Sequence, residues 1–120
     1  MNLAGKTIVI TGAARGLGAA MARRLAPHRP VLALVDLKAA DLEAIAAECR
    51  QLGATVHAFG ANVAKEADVI ALFDRAMAPP AGRAQPDVVV FNAGDNRMID
   101  FREVEAALFE AFWRIGCFGR

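Results

Sequence analysis

The stretch TGAARGLGAA, Thr11 to Ala20, follows the apolar run KTIVI and sets Gly12, Gly16 and Gly18 where a strand gives way to a helix. Glycine serves where φ must turn positive, or where a backbone or ligand comes too close for a Cβ. In a strand-to-helix turn this spacing assigns one task to each. Gly12 permits the sharp turn, Gly16 lets the main chain approach a pyrophosphate closely, and Gly18 lets the helix lie against the strand. The helix N-terminus then adds unpaired N–H groups and a partial positive charge, which makes the segment an anion cradle. The spacing is not G-x-G-x-x-G, and no Lys-Ser or Lys-Thr stands where a P-loop needs it. Glycine spacing alone is also compatible with a purely structural turn.

The surrounding pattern decides the fold class. TIVI (7–10), VLALV (31–35), TVHAF (55–59) and DVVVF (87–91) are short apolar runs rich in β-branched residues. They are too short for helices and do not alternate, as expected of strands buried on both faces of a parallel sheet. Helical spacing lies between them: Leu17, Met21 and Leu25; then Leu42, Ile45, Cys49 and Leu52, closed by Gly53; then Val69, Phe73 and Met77, closed by Pro79 and Pro80. The segment APPAGRAQP (78–86) reads as an exposed loop. A last helical segment carries apolar residues on two faces, Val104, Leu108, Phe112 and Ile115 on one, Phe109 and Trp113 on the other. Such a helix needs a further layer, from continuing chain or from another subunit. The order βαβαβαβα, with right-handed crossovers, predicts a doubly wound parallel α/β sheet in one domain spanning residues 1–120.

Composition narrows the function classes. With 120 residues, 56% apolar, and a net charge of +1 with both signs interspersed, the chain has no basic stripe for nucleic acid and no polybasic membrane patch. The N-terminus has no basic region ahead of its apolar run and no cleavage signal, and no run approaches a membrane span, so a cytoplasmic protein is expected. Cys49 and Cys117 match no metal spacing and read as buried thiols in a reducing compartment. No metal site is expected.

Asp36 closes the second strand, where an acid can meet an adenosine ribose or cap a following helix. Together with TGAARGLG, the stretches LVDL, ANV (61–63) and FNAG (91–94) occur in the order and at the spacings of the short-chain dehydrogenase/reductase family, which this chain resembles. The resemblance covers nearly the whole chain, but only the N-terminal, cofactor-binding half of a family member. It implies a Rossmann-type sheet and a nicotinamide dinucleotide, NAD rather than NADP because Asp36 would repel a 2′-phosphate. It implies that Gly12, Arg15, Gly16, Leu17 and Gly18 surround the pyrophosphate and adenosine ribose, with Asp36 on the ribose hydroxyls. Asn62, with Val63 beside it, stands where the family usually has an Asp contacting the adenine amino group, and its carbonyl can accept that bond. Asn92, Ala93 and Gly94 fall near the nicotinamide ribose, with Asn92 either structural or in direct contact. Phe91 replaces a common Asn at a strand end expected to be buried, and Gly116 stands where many members carry a helix Asn of the proton relay.

In the family, hydride moves between the nicotinamide and an alcohol or carbonyl carbon, while a Tyr paired with Lys and aided by Ser transfers the proton. This chain has no Tyr and no Ser. Asp95, Asp100, His28 and His57 are not spaced as an acid/base pair, and no catalytic residue is assigned. The expectation is the cofactor-binding part of an NAD-dependent oxidoreductase acting on a small alcohol or carbonyl compound, whose full-length parent is a homo-oligomer. A standalone nucleotide-binding or interaction module, without catalysis, is the alternative.

Overall fold

A computed structural model describes residues 2–77, 86–93 and 106–114. Its elements run β1 (Thr7–Thr11), α1 (Gly16–Leu25), β2 (Val31–Asp36), α2 (Glu43–Gln51), β3 (Thr55–Gly60), α3 (Glu66–Met77), β4 (Val88–Val90) and α4 (Ala106–Trp113), with short 3-10 turns at Ala26–His28 and Ala39–Leu42. The four strands form one parallel sheet in the order β3-β2-β1-β4. This is the Rossmann-type arrangement expected of the strand and helix pattern.

The order accounts for the double winding. From β1 through β2 to β3 the chain steps one way along the sheet, and right-handed crossovers carry α1 and α2 over one face. It then returns past β2 and β1 to reach β4, and the same handedness puts α3 on the other face. Two apolar clusters record the two sides. Ile8, Ile10, Leu32, Leu34 and Val56 pack with Ala19, Ala22, Leu42, Ile45 and Cys49. Val9, Ala33, Val35 and Phe59 pack with Leu72 and Phe73 of α3. Adjacent residues of one strand serve opposite clusters, as the pleat requires.

The helix faces differ from the expected stripes at α1. The residues of α1 buried on the sheet are Gly18, Ala19 and Ala22, whereas Leu17 is 69% exposed and Met21 and Leu25 are half-buried. The cause is distance: a helix that begins hard against its strand has room only for small residues beneath it, so its larger apolar side chains move to the flank. In α2, Leu42, Ile45 and Cys49 are buried as expected, and Leu52 is exposed. That helix closes on Gly53 at φ 116°, with Gly53 N–H donating to the Arg50 carbonyl (3.2 Å) and Ala54 N–H to the Cys49 carbonyl (3.1 Å). These two bonds satisfy carbonyls the helix end would leave open. Arg23 joins α1 to α2 through Glu48 at 2.9 Å, a half-exposed pair worth about 0–1 kcal/mol.

Burial on both faces holds for β1 and β2 but not for β3 and β4. His57 and Ala58 are half-buried, and Val88 and Phe91 are 41% and 45% exposed. Phe91 therefore does not stand at a buried strand end. Among the described strands β3 and β4 are the outer two, so each has a neighbour on one side only. Residues 78–85, where a loop is expected, and the residues Val104, Ile115, Gly116 and Cys117 lie outside the described part, as do the side chains of Leu108, Phe109 and Phe112; Trp113 is 47% exposed.

Two predictions follow from the buried core of the sheet and α2. The Thr7 hydroxyl is buried without a hydrogen-bond partner among the described residues, so Thr7→Val should raise stability by about 1 kcal/mol, read as a higher urea midpoint at unchanged slope. Burial, and secondarily the charge of Glu48, raises the Cys49 thiol above its ordinary pKa, against a smaller lowering by Arg23. Thiolate is the reactive form, so alkylation of the Cys49 peptide at pH 8, followed by mass spectrometry, should be at least about tenfold slower in the native protein than in denaturant.

Candidate functional site

The carboxyl ends of β1, β2, β3 and β4 open on one edge of the sheet. In this strand order the direction of winding reverses between β1 and β4, and the crevice beyond that point is where an open α/β sheet takes a ligand. Its walls are the turn after β1 and the residues after β4.

The turn after β1 sets its three glycines in three different surroundings. Gly12 turns at φ 66°, and a Cβ there would lie 3.0 Å from the Ala93 Cα. A Cβ at Gly18 would overlap the Gly12 carbonyl and approach the Asn92 amide nitrogen to 2.8 Å, so α1 sits as close to β1 as the backbone allows. Gly16 differs in kind. It has φ 59°, yet among the described residues a Cβ there would meet nothing within 4 Å, which leaves its space open in front of the helix. Arg15, extended and exposed, stands at the N-cap of α1 without a side-chain capping bond, and the first turn holds no acidic residue. The N–H groups at this end are available to an anion.

Side chains lock the turn in place. Ala13 N–H donates to the Val35 carbonyl at 3.1 Å, and Ala14 N–H donates to Asp36 Oδ2 at 3.1 Å. The other oxygen of Asp36 accepts from Leu37 N–H at 2.8 Å. Asp36 thus joins the end of β2 to the turn after β1 and caps no helix. Beyond β3, Asn62 N–H donates to Asp68 Oδ2 (2.9 Å), while Asn62 Oδ1 accepts from Ala64 N–H (2.9 Å). The local turn thus engages one lone pair of the Asn62 oxygen and leaves the other as an acceptor. Val63 is half-buried beside it.

Across the crevice, Asn92 Nδ2 donates to the Gly12 carbonyl at 3.3 Å. The Thr11 hydroxyl accepts from Asn92 N–H at 3.0 Å and Ala93 N–H at 3.1 Å, and lies 3.4 Å from the Val90 carbonyl. Asn92 thus ties the β4 end to the glycine turn. Gly94, Asp95 and Asp100 lie outside the described residues. The sequence pattern assigns no part to Thr11 or Asp68. The signal for Thr11 was present: a hydroxyl ending a wholly buried strand requires a partner. Asp68 carried none, because an acid in the first turn of a helix is common without any such bond.

The described residues thus bring Gly12, Gly16, Gly18, Asp36, Asn62, Val63, Asn92 and Ala93 to one edge, with Arg15 and the exposed Leu17 at the rim. Among them no group of His, Cys, Asp or Glu could hold a metal ion, and no helix is long and apolar enough to cross a membrane.

Comparison with known proteins follows the same outline. The family model described as short chain dehydrogenase matches residues 6–120. The chain is 34% identical over 93 residues to 17-beta-hydroxysteroid dehydrogenase 13 of Rattus norvegicus, covering 78% of this chain and 30% of that protein. It is 38% identical over 103 residues to D-threitol dehydrogenase of Mycolicibacterium smegmatis, covering 86% of this chain and 38% of that protein. A short-chain dehydrogenase/reductase from Mycobacterium marinum superposes with TM-score 0.89 at 23% identity, over 98% of this chain and 45% of that one. A metagenomic short-chain oxidoreductase in complex with NADP superposes with TM-score 0.88 at 24% identity, over 99% and 52%. The chain spans about a third of these curated relatives and about half of these solved structures. With the glycine turn, the Asp36 strand end and the β4 end in this arrangement, the chain belongs to the short-chain dehydrogenase family and covers its N-terminal, nucleotide-binding portion.

Proposed function

We propose that this chain binds NAD and forms the cofactor-holding part of an oxidoreductase that moves hydride between the nicotinamide and a small alcohol or carbonyl compound. The observation that carries the reading is the open space at Gly16, in front of an uncapped helix end, on a turn that Asp36 and Asn92 hold still. The pyrophosphate takes that space, with the N–H groups of α1 donating to it and Arg15 within reach at the rim. Asp36 receives the adenosine ribose hydroxyls, Asn62 and Val63 flank the base, and Ala93 and Gly94 line the nicotinamide ribose. Gly12 and Gly18 serve by keeping the turn tight, and Leu17 shields it. Bound NAD supplies the hydride acceptor. We assign no proton-transferring residue to these 120 residues, which contain no Tyr and no Ser. A homo-oligomeric parent working in the cytoplasm completes the proposal, and the 47% exposure of Trp113 supports the first of these.

The preference for NAD has an electrostatic basis. Both oxygens of Asp36 are held by backbone N–H groups, so the carboxylate is not free to swing away from a 2′-phosphate. At 4 Å and an effective dielectric near 20 the repulsion reaches ~4 kcal/mol per pair of unit charges, more than the attraction of an exposed Arg15 returns. Titration calorimetry should find NAD bound at least about tenfold more tightly than NADP, a difference of about 1.4 kcal/mol; equal affinities would remove the assignment to NAD.

Gly16→Val tests the cradle itself. The branched side chain enters the space assigned to the pyrophosphate, and its positive φ costs about 1–2 kcal/mol of stability. NAD affinity should fall by more than about tenfold while circular dichroism still reports the native α/β spectrum. Undiminished binding in that variant would make the turn structural only.

A further inference from the structure

We infer that Asn62 presents a hydrogen-bond donor, its amide NH2, to the edge of the bound purine, and that the site therefore accepts a 6-oxopurine dinucleotide about as well as an adenine one. The inference rests on the dinucleotide reading above and concerns which base that dinucleotide carries.

The strand order places the base. A ligand with its pyrophosphate at the end of β1 and its ribose at Asp36, the end of β2, extends next to the end of β3, the following strand in the sheet. The two ends are joined there, since Ala61 N–H donates to the Asp36 carbonyl at 2.9 Å. Leu37, 64% exposed, offers apolar surface beside this position. Asn62 is the first residue with a polar side chain after β3, and it is half-buried.

The hydrogen bonds of Asn62 then fix its polarity. Its N–H is given to Asp68 at 2.9 Å, its backbone carbonyl accepts from Lys65 N–H at 2.9 Å, and its Oδ1 accepts from Ala64 N–H at 2.9 Å. An N–H requires an acceptor, so the oxygen rather than the nitrogen must face Ala64, and the amide orientation follows from chemistry alone. Left over are the NH2, a donor, and the second lone pair of Oδ1, so the amide can meet either kind of purine edge. A carboxylate in the same turn would also give one oxygen to Ala64 N–H but would leave its second oxygen outward, an acceptor. Adenine offers a donor at position 6 and suits the acceptor; a 6-oxopurine offers an acceptor there and suits the donor. Asn at position 62 thus weakens the selection for the amino base that an Asp would impose.

The experiment is calorimetric titration of the protein with NAD and with nicotinamide hypoxanthine dinucleotide, for wild type and Asn62→Asp. The variant keeps the turn, because its carboxylate still accepts from Ala64 N–H, and a thermal melt verifies that it is folded. Wild type should bind the two dinucleotides within about threefold of each other, and Asn62→Asp should favour NAD by about tenfold or more, the scale of one hydrogen bond made or opposed. A wild-type preference for NAD of that size overturns the inference without any need of the variant, and so does a ratio unchanged by the substitution. Failure of wild type to bind either dinucleotide overturns the dinucleotide reading, and this inference with it, and is distinct from binding of both with the wrong ratio.

Discussion

The missing Cβ of Gly18 governs the site. With hydrogen in that place, α1 rests on the Gly12 carbonyl; with any side chain the helix would have to lift from the strand. The close seat explains why the face of α1 on the sheet is built from Gly18, Ala19 and Ala22, and why Leu17 is turned out to the rim. It also brings the helix N-terminus directly above the end of β1, where its N–H groups open on the crevice. One absent methyl group thus couples the packing of the core to the position of the anion site.

A turn that tight would be of little use if it moved, and the polar contacts around it form a frame. Thr11 and Asn92 bind the two walls of the crevice to each other, the first through backbone N–H groups of the β4 end, the second through the Gly12 carbonyl. Asp36 binds the turn to β2, and Asp68 binds the β3 end to the first turn of α3. All of these but the Asp68 bond run between segments 22 or more residues apart in sequence. Such a frame is pre-organised for a ligand that spans several strand ends, because little ordering is left for binding to accomplish.

The fold was legible because its signals are local and repeated. Four β-branched runs, three helical spacings between them and glycines at their junctions all point to one parallel, doubly wound sheet, and agreement between independent signals is what makes a pattern readable. The strand limits came within one residue of those read from the runs, and the turn of Gly53 after α2 was placed correctly. The stripe of Leu17, Met21 and Leu25 was less informative, because periodicity identifies a helix but not how close it lies to its neighbour. Likewise the apolar run ending in Phe91 looked like buried strand, since hydrophobicity does not reveal which strand stands at the side of a sheet.

By itself, the sequence determined the succession of elements, the family, and which residue types were available: glycines for a close turn, an acid at the end of the second strand, no tyrosine or serine in these 120 residues. Only the tertiary structure decided what those residues do to one another. Asp36 became a brace for the glycine turn, Asn92 a bridge to Gly12, and Asn62 a residue whose amide orientation is set by its own loop. The physical reason is that a strand or helix is set by neighbours a few residues away, whereas the partner of a polar group depends on which chain ends the sheet brings together, here residues some 80 positions apart.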